Sequence, residues 1–228
     1  MKRKSIFYCE SAYAVGIIIL AFATALMEKA NFGMSMVVAP AYLIHLKVSQ
    51  YFPFYTLGMS TYIFEAVLLA LLSIVMRKIK ISYLLSFVTA IVYGIILDFM
   101  LILVAPLPSD GFMWRFIFYC IGMLACSTGI AMLFHTYLPP EAYEMVVKEF
   151  SHKFAAPISK VKTIYDCYSC AAGIVLSFVF FGFGNFVGVK WGTILCALLN
   201  GWLIGRISHY LDAKFEFRDA FPLRGKLN

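Results

Sequence analysis

The sequence predicts an all-α membrane protein with six transmembrane helices in an inverted 3+3 repeat, each half with an extra short re-entrant or interfacial helix. Three observations lead to this prediction. The 228 residues are 62% hydrophobic and 14% charged, the apolar residues fall into six long runs, and the two halves of the chain align with each other. Soluble domains contain about a quarter charged residues, so this composition indicates a lipid solvent.

The predicted organisation is a single transmembrane domain covering residues 1–228. Repeat 1 covers about 10–105, repeat 2 covers about 112–212, and residues 213–228 form a cytoplasmic tail. A helix needs about 20 mostly apolar residues to cross a bilayer, and the runs lack the alternation of a barrel strand. The predicted spans lie near 11–29, 54–76, 81–105, 113–138, 158–181 and 189–211.

The first run also resembles a signal peptide, because it follows the basic residues KRK and contains small residues around Ala23 and Ala25. We expect it to be retained as a span, since it has a counterpart in the second half of the chain.

Basic residues predict the orientation, because cytoplasmic loops are enriched in them. One side carries Lys2, Arg3, Lys4, Arg77, Lys78, Lys80, Lys148, Lys153, Lys160, Lys162, Arg206, Lys214, Arg218, Arg224 and Lys226. The other side carries Lys29, Lys47, Arg115 and Lys190. Both termini are therefore predicted to be cytoplasmic. The net charge of +7 lies at the ends of apolar runs, so no nucleic-acid partner is expected.

Two further segments are too short to cross a bilayer. Residues 33–49, after the first span, are apolar and should dip into the membrane or lie along its surface. Residues 138–152, after the fourth span, start with two prolines and carry apolar residues at helical spacing, which predicts a short amphipathic helix.

The repeat is carried by one offset between the halves. PAYLIHLK (40–47) aligns with EAYEMVVK (141–148), and the same offset places Glu65 over Asp166. Each half has three spans, so the second half must enter the membrane from the opposite side. Many transporters use such inverted repeats to build a site near the bilayer midplane.

Three segments resemble the YczE/YyaS/YitT group of bacterial membrane proteins: FGMSMVVAP, IYDCYSCAAGIVLSFVFFG and FVGVKWGTILCALLNG. The resemblance covers about residues 12–210. It implies a polytopic protein of the bacterial inner membrane and does not imply a particular activity. The chain departs from the group where Met36 to Pro40 delays the expected proline, and where Glu65 replaces a polar, often uncharged residue.

Acidic residues inside the spans are the candidate functional residues, because charges at membrane depth are costly and normally face a bundle interior. Glu65 and Asp166 are predicted to line a solute path and, together with Asp98, to bind a proton or cation. The alternative is that an acid lies near a membrane face and is solvated or paired; Lys162 is one turn from Asp166. Snorkelling to the interface is the alternative for Asp98.

Three polar or aromatic residues complete the predicted binding site. Tyr42 and Tyr143 are repeat-related and are expected to form aromatic walls, and Asn200 is expected to supply a polar group. No cofactor or metal is predicted, because the histidines do not cluster with the CxxC pair Cys167 and Cys170, which is interpreted as packing.

Other residues have two interpretations. His135 is either a proton-carrying group or a hydrogen-bonded histidine. The GxxxG spacings at Gly188–Gly192 and Gly201–Gly205 favour tight packing inside the chain or, second, a homodimer.

These features predict a transporter that moves a small polar or charged solute, with proton or cation coupling. A membrane subunit that only binds substrate is the first alternative, with Ala21 and Ala25 offered to a partner. An accessory membrane protein is the second. No enzyme is expected, because the sequence contains no HExxH, GxSxG, P-loop or dinucleotide motif. Membrane lipid and the solute are the expected partners.

Overall fold

The computed structural model describes residues 4–221, which form eight helices and two short strands. The helices are α1 (Cys9–Ala30), α2 (Ala39–Val48), α3 (Leu57–Met76), α4 (Ile81–Val104), α5 (Phe112–Phe134), α6 (Ala142–Phe154), α7 (Ile158–Phe181) and α8 (Trp191–Lys214). The strands are β1 (Ser5–Tyr8) and β2 (Phe215–Arg218). Lys2, Arg3, Arg224 and Lys226, used in the orientation prediction, lie outside the described residues.

Six helices, α1, α3, α4, α5, α7 and α8, are long and apolar enough to cross a membrane. The predicted all-α class with six spans is confirmed, and the chain is an integral membrane protein. Two helix ends differ from the prediction for local reasons. Helix α3 begins at Leu57 because Thr56 caps it, accepting a hydrogen bond of 3.0 Å from Met59 N. Helix α5 ends at Phe134, before the Pro139–Pro140 pair.

The two chain ends meet at one end of the bundle, which we name the terminal face. Strands β1 and β2 pair in parallel there, with Ser5 opposite Phe215 and Tyr8 opposite Arg218. The ring of Phe7 packs against those of Phe215 and Phe217. Helix α8 and strand β2 thus extend into a segment that was predicted as a tail.

Helices α1 and α5 form the antiparallel centre of the bundle. Cys9 contacts the His135 carbonyl at one end of the pair, and Arg115 donates a 2.8 Å hydrogen bond to the Ala30 carbonyl at the other. Gly129 faces the α1 backbone at Gly16, so the helices approach closely there. Ala21 and Ala25 are fully buried in this core, so the prediction that they face a partner subunit is wrong.

Helices α2 and α6 are re-entrant: each begins deep in the bundle. Ser35, before α2, and Glu141, before α6, line the same small cavity as Leu20 and Thr24, which lie midway along α1. Helix α6 then runs to the terminal face, where Glu149 pairs with Lys80 at 2.7 Å. Helix α2 leads to the opposite face, where α3 begins.

The contacts between helices occur in matching pairs. Helix α1 packs on α4 as α5 packs on α8, α2 contacts α7 as α6 contacts α3, and the hairpin α3–α4 has its counterpart in α7–α8. Two inverted copies of a three-span unit would produce this pattern. The inverted repeat stays a prediction, and the contact pattern agrees with it.

Candidate functional site

A small cavity lies where the two re-entrant helices begin, and we name it the central cavity. Its volume is about 10 Å³, which is room for about one water molecule. It is lined by Leu20, Thr24, Ser35, Val37, Val38, Tyr93, Cys126, Ile130, Glu141, Tyr143 and Glu144. Three spanning helices, α1, α4 and α5, and both re-entrant starts therefore converge on one point in the middle of the bundle.

Glu65 binds the start of α6. Its Oε2 accepts a hydrogen bond of 2.9 Å from the backbone N–H of Ala142, the first residue of that helix. A carboxylate is favourable there, because the first N–H groups of a helix lack partners and carry partial positive charge. The side chain is fully buried, as predicted, and Oε1 has no hydrogen-bond partner within residues 4–221.

Lys162 is the buried cation of the site. Its Nζ lies 3.0 Å from Asp166 Oδ1 and 3.4 Å from Glu144 Oε1, and all three side chains are 0–1% exposed. The sequence analysis placed Lys162 among the basic residues of a cytoplasmic loop, which is wrong. Lys162 faces inward because it pairs with Glu144 of α6 as well as with Asp166, which stands one turn away on the same face of α7.

Asp166 is paired rather than solvated. Besides Lys162, it is near the side chain of Asn200, whose Oδ1 accepts a 2.7 Å hydrogen bond from Ser127 Oγ. Asp166 and Asn200 are both fully buried, and Asn200 Nδ2 has no hydrogen-bond partner among the described residues. The two predicted residues are thus brought together, on facing helices α7 and α8.

Glu141 and Glu144 are acidic residues of this cluster that the sequence analysis missed. Both flank the start of α6 and are 1–2% exposed. Burial raises the pKa of Glu141 well above its ordinary value, and the nearby carboxylates of Glu65 and Glu144 raise it further. The available signal was the short amphipathic helix after Pro139–Pro140, since a re-entrant helix would carry its first acids to mid-depth.

The two predicted tyrosine walls occupy different sites. Tyr143 lines the central cavity, is 1% exposed, and its hydroxyl has no hydrogen-bond partner in the described part of the chain. Tyr42 instead lines a cavity at the opposite face. Burial, with a smaller effect of the Glu28 charge, raises the pKa of Tyr42 to about 12. The structure does not bring these residues together.

Asp98 also lies away from the cluster. Its Oδ1 accepts a hydrogen bond of 2.9 Å from the backbone N–H of Gly58, in the first turn of α3. The side chain therefore stabilises a helix start near the opposite face. The structure does not place Asp98 with Glu65 and Asp166, its predicted partners in coupling.

Two larger cavities lie on either side of the central one. The opposite-face cavity, of about 210 Å³, is lined by Met27, Glu28, Asn31, Gly33, Met34, Tyr42, Phe186, Val187, Gly188 and Lys190. The terminal-face cavity, of about 470 Å³, is lined by Lys80, Ser82, Tyr137, Pro139, Met145, Lys148, Glu149 and His152.

The re-entrant segments separate these cavities from the central one. Met34 lines the opposite-face cavity, and the next residue, Ser35, lines the central cavity. On the other side, Pro139 and Met145 line the terminal-face cavity, whereas Glu141 lines the central cavity. Each barrier is therefore one short stretch of chain.

Glycines of the segment FVGVKWG hold the first re-entrant segment in place. Met34 N donates to the Gly188 carbonyl, and Gly192 N donates to the Phe32 carbonyl, at 3.0 and 3.1 Å. Gly33 adopts φ +107°, and a side chain there would meet the backbone N of Lys190. This packing accounts for the Gly188–Gly192 spacing within the chain.

Other candidate residues have structural roles. His135 Nε2 lies 3.1 Å from Asp212 Oδ1 and its Nδ1 lies 2.7 Å from the Ala131 carbonyl, so this histidine is hydrogen-bonded. Cys167 is exposed and Cys170 buried. Within residues 4–221, no group of three His, Cys, Asp or Glu side chains is arranged to hold a metal ion.

Comparison with known proteins identifies a family without a described activity. No curated protein and no solved structure matches the chain. The resemblance to the YczE/YyaS/YitT group stays a prediction, because no match names that group. Residues 8–209 match the pattern described as "Family of unknown function (DUF6198)". This match spans nearly all the described residues, and the chain therefore belongs to the DUF6198 family.

Proposed function

We propose that this membrane protein transports a small polar or charged solute by opening a central site alternately to each face. One observation carries the proposal: a small central cavity, lined in part by the buried acids Glu141 and Glu144, lies between two larger cavities on opposite faces. Each barrier is a re-entrant segment, so movement of one segment connects the centre to one face. The central cavity of about 10 Å³ admits about one water molecule, so passage of a solute requires that movement.

The inverted repeat, which we include in the proposal, gives a reason for two such barriers. Under the repeat, α2 and α6 are equivalent elements that enter from opposite faces. Their matching contacts, α2 with α7 and α6 with α3, support this assignment. Alternating access then arises when the two halves exchange conformations, as in other transporters built from inverted repeats.

The proposed orientation places the terminal face in the cytoplasm of a bacterial cell, with the protein in the inner membrane. Removing the buried Lys162 from the count leaves the excess of basic residues on that face unchanged in sign. Labelling of Lys153→Cys and Gly111→Cys in a cysteine-depleted background tests it. An impermeant thiol reagent applied to intact spheroplasts should label the cysteine at position 111 and leave the cysteine at position 153 unlabelled.

Transport is favoured over a binding subunit by the packing of α1. Ala21 and Ala25, the stripe expected to meet a partner, are covered by the protein itself. Transport is favoured over a purely structural role because a structural core would be filled by apolar side chains. Here the centre contains carboxylate oxygens that have no hydrogen-bond partner among residues 4–221.

The experiment begins with the solute, which is identified by thermal unfolding of detergent-purified protein against a panel of small polar solutes. A solute that binds the folded state raises the unfolding temperature. Its uptake is then measured in proteoliposomes, with empty liposomes as the control. Saturable uptake supports the proposal, whereas a stabilising solute that never crosses the bilayer contradicts it and favours a binding subunit.

A further inference from the structure

The buried charges of the site do not balance. Four carboxylates that expose 2% or less of their surface lie around the start of α6: Glu65, Glu141, Glu144 and Asp166. Within the described residues, Lys162 is the cation that contacts this cluster. It forms one ion pair with Glu144 and one with Asp166. Glu65 and Glu141 are thus left without a cationic partner in the structure from 4 to 221.

Glu65 and Glu141 are close enough to repel each other. Glu65 Oε2 lies 2.9 Å from the backbone N of Ala142, the residue that follows Glu141, and burial and the charge of Glu65 raise the pKa of Glu141. Each of the two has an oxygen, Oε1, with no hydrogen-bond partner among the residues described. Two adjacent carboxylates buried in an apolar interior cannot both stay ionised without compensation, so one of them is held protonated or a cation is bound.

The neighbouring titratable groups do not remove this imbalance. The groups that interact electrostatically with the pair come from five elements: Tyr13 of α1, Tyr93 of α4, Cys126 of α5, Tyr143 and Glu144 of α6, and Lys162 of α7. Tyrosine and cysteine are neutral or negative, so they supply no compensating charge. The positive end of α6 contributes about half an elementary charge, which is less than the two carboxylates require.

A proton fits the site better than a metal cation. Oxygen-binding metal ions take about six or more ligands. The central cavity has a volume of about 10 Å³, and no metal-binding group of three acidic, histidine or cysteine side chains occurs in residues 4–221. A proton needs one free carboxylate oxygen, and Oε1 of either residue provides it.

We propose that Glu65 and Glu141 form a carboxyl pair that binds one exchangeable proton at the start of α6. This proposal deepens the proposed function and rests on it, because the pair supplies the coupling site of the transporter. The proton bonds to an unpaired Oε1 oxygen when the site faces one side and leaves to water when it faces the other. Asp166, a predicted coupling residue, instead holds Lys162.

The position of Glu65 links the proton to movement of α6. Its carboxylate accepts the Ala142 N–H, and hydrogen bonds to an ionised acceptor are about twice as strong as neutral ones. Protonation therefore weakens the bond that holds the start of α6. Because this segment separates the central cavity from the terminal-face cavity, loss of the bond favours opening toward that face.

Infrared difference spectra of purified protein in detergent test the pair without any transport. The signal is the protonated-carboxyl band, followed from acidic to alkaline pH. Wild type should show a band that persists above the ordinary range for glutamate. In Glu65→Gln and in Glu141→Gln the remaining acid should lose its proton at lower pH, and Glu65→Gln/Glu141→Gln should lack the band. The exposed Glu216 pairs with Arg218, and Glu216→Gln should match wild type.

A second measurement needs no variant. Thermal unfolding of wild type is compared in sodium, potassium and choline chloride at one pH and ionic strength. Equal unfolding temperatures support the proton, whereas stabilisation by sodium or potassium alone overturns it. A band unchanged in the double variant also overturns it. If the band behaves as expected and no solute is transported, the carboxyl pair stands and the proposed function fails.

Discussion

Lys162 and Asp166 form an ion pair one turn apart on α7, with 3.0 Å between Nζ and Oδ1 and neither side chain exposed. The same amine reaches Glu144 Oε1 at 3.4 Å. This buried cluster joins α7 to the start of α6. Its charges are costly to separate, because each would remain buried without a partner.

Replacing Lys162 should therefore destabilise the protein strongly. We expect Lys162→Met to lower the free energy of unfolding by about 3–5 kcal/mol, the usual cost of removing one partner of a buried pair. Denaturant unfolding of the purified protein measures it. Lys160→Met, on the exposed side of the same helix, should stay within about 0.5 kcal/mol.

The double variant separates charge from packing. Lys162→Met/Asp166→Asn removes one of the carboxylates that the lysine compensates, so it should recover part of the lost stability. If Lys162→Met unfolds at the same denaturant concentration as Lys160→Met, the buried ion pair is not a stabilising element of the fold.

The anchoring of the first re-entrant segment is tested by two glycines. Gly33 has φ +107° and is tightly packed against Lys190 and Thr193, whereas Gly111 has φ +99° with no atom within 4 Å of an added Cβ. Both alanine substitutions strain the backbone, and only Gly33→Ala adds a clash. We expect Gly33→Ala to cost about 1–3 kcal/mol more than Gly111→Ala in thermal unfolding.

Equal destabilisation by Gly33→Ala and Gly111→Ala would show that the segment around Gly33 can shift away from residues 188–192 without losing stability. A larger destabilisation by Gly33→Ala would show that packing of this segment against residues 188–192 stabilises the fold. Since both substitutions are Gly→Ala at positive φ, the shared backbone strain cancels in the comparison.

The membrane architecture was predictable from sequence because lipid contact imposes long apolar runs, which a local pattern reveals. Glu65 and Asp166 were recognisable for the same reason, as charges inside such runs. Glu141 and Glu144 were not, because they belong to a short amphipathic segment. Their burial follows from the depth at which α6 starts, a property of the tertiary structure.

Two other features depend on distant parts of the chain. Lys162 lies near the start of its span, where a lysine usually snorkels, and its inward position depends on Glu144 of α6. The pairing of β1 with β2 joins segments at the two ends of the chain. Neither the Lys162–Glu144 contact nor the strand pairing can be recognised from neighbouring residues in the sequence, because each forms only when the helices are packed.

Proton coupling by Glu65 should be visible in transport. Once a solute has been identified, Glu65→Gln should abolish the response of uptake to an imposed pH gradient, because its amide cannot take part in the proton exchange. Exchange of labelled for unlabelled solute should persist, since it requires no net proton movement. Glu216→Gln serves as the control. Unchanged, gradient-driven flux after Glu65→Gln would exclude a coupling role for Glu65.

The stability of the protein should depend on pH through Glu141. Its pKa in the folded protein is raised, first by burial and then by Glu65 and Glu144. Between its ordinary value and this raised pKa, the folded state binds more protons than the unfolded state, so stability falls as pH rises. Glu141→Gln stays neutral and should be more stable than wild type at alkaline pH, the difference disappearing as pH falls.

Thermal unfolding across a pH series, in one detergent and at constant ionic strength, measures this difference. Subtracting the Glu141→Gln curve from that of wild type removes the contribution of other titrating groups that the substitution leaves unchanged. The exposed Glu216→Gln should give a difference that does not vary with pH. A flat difference for Glu141→Gln as well would mean that this carboxyl is ionised in the folded protein. The negative charges of Glu65 and Glu141 would then have to be compensated by a bound cation, and the proposed carboxyl pair would be wrong.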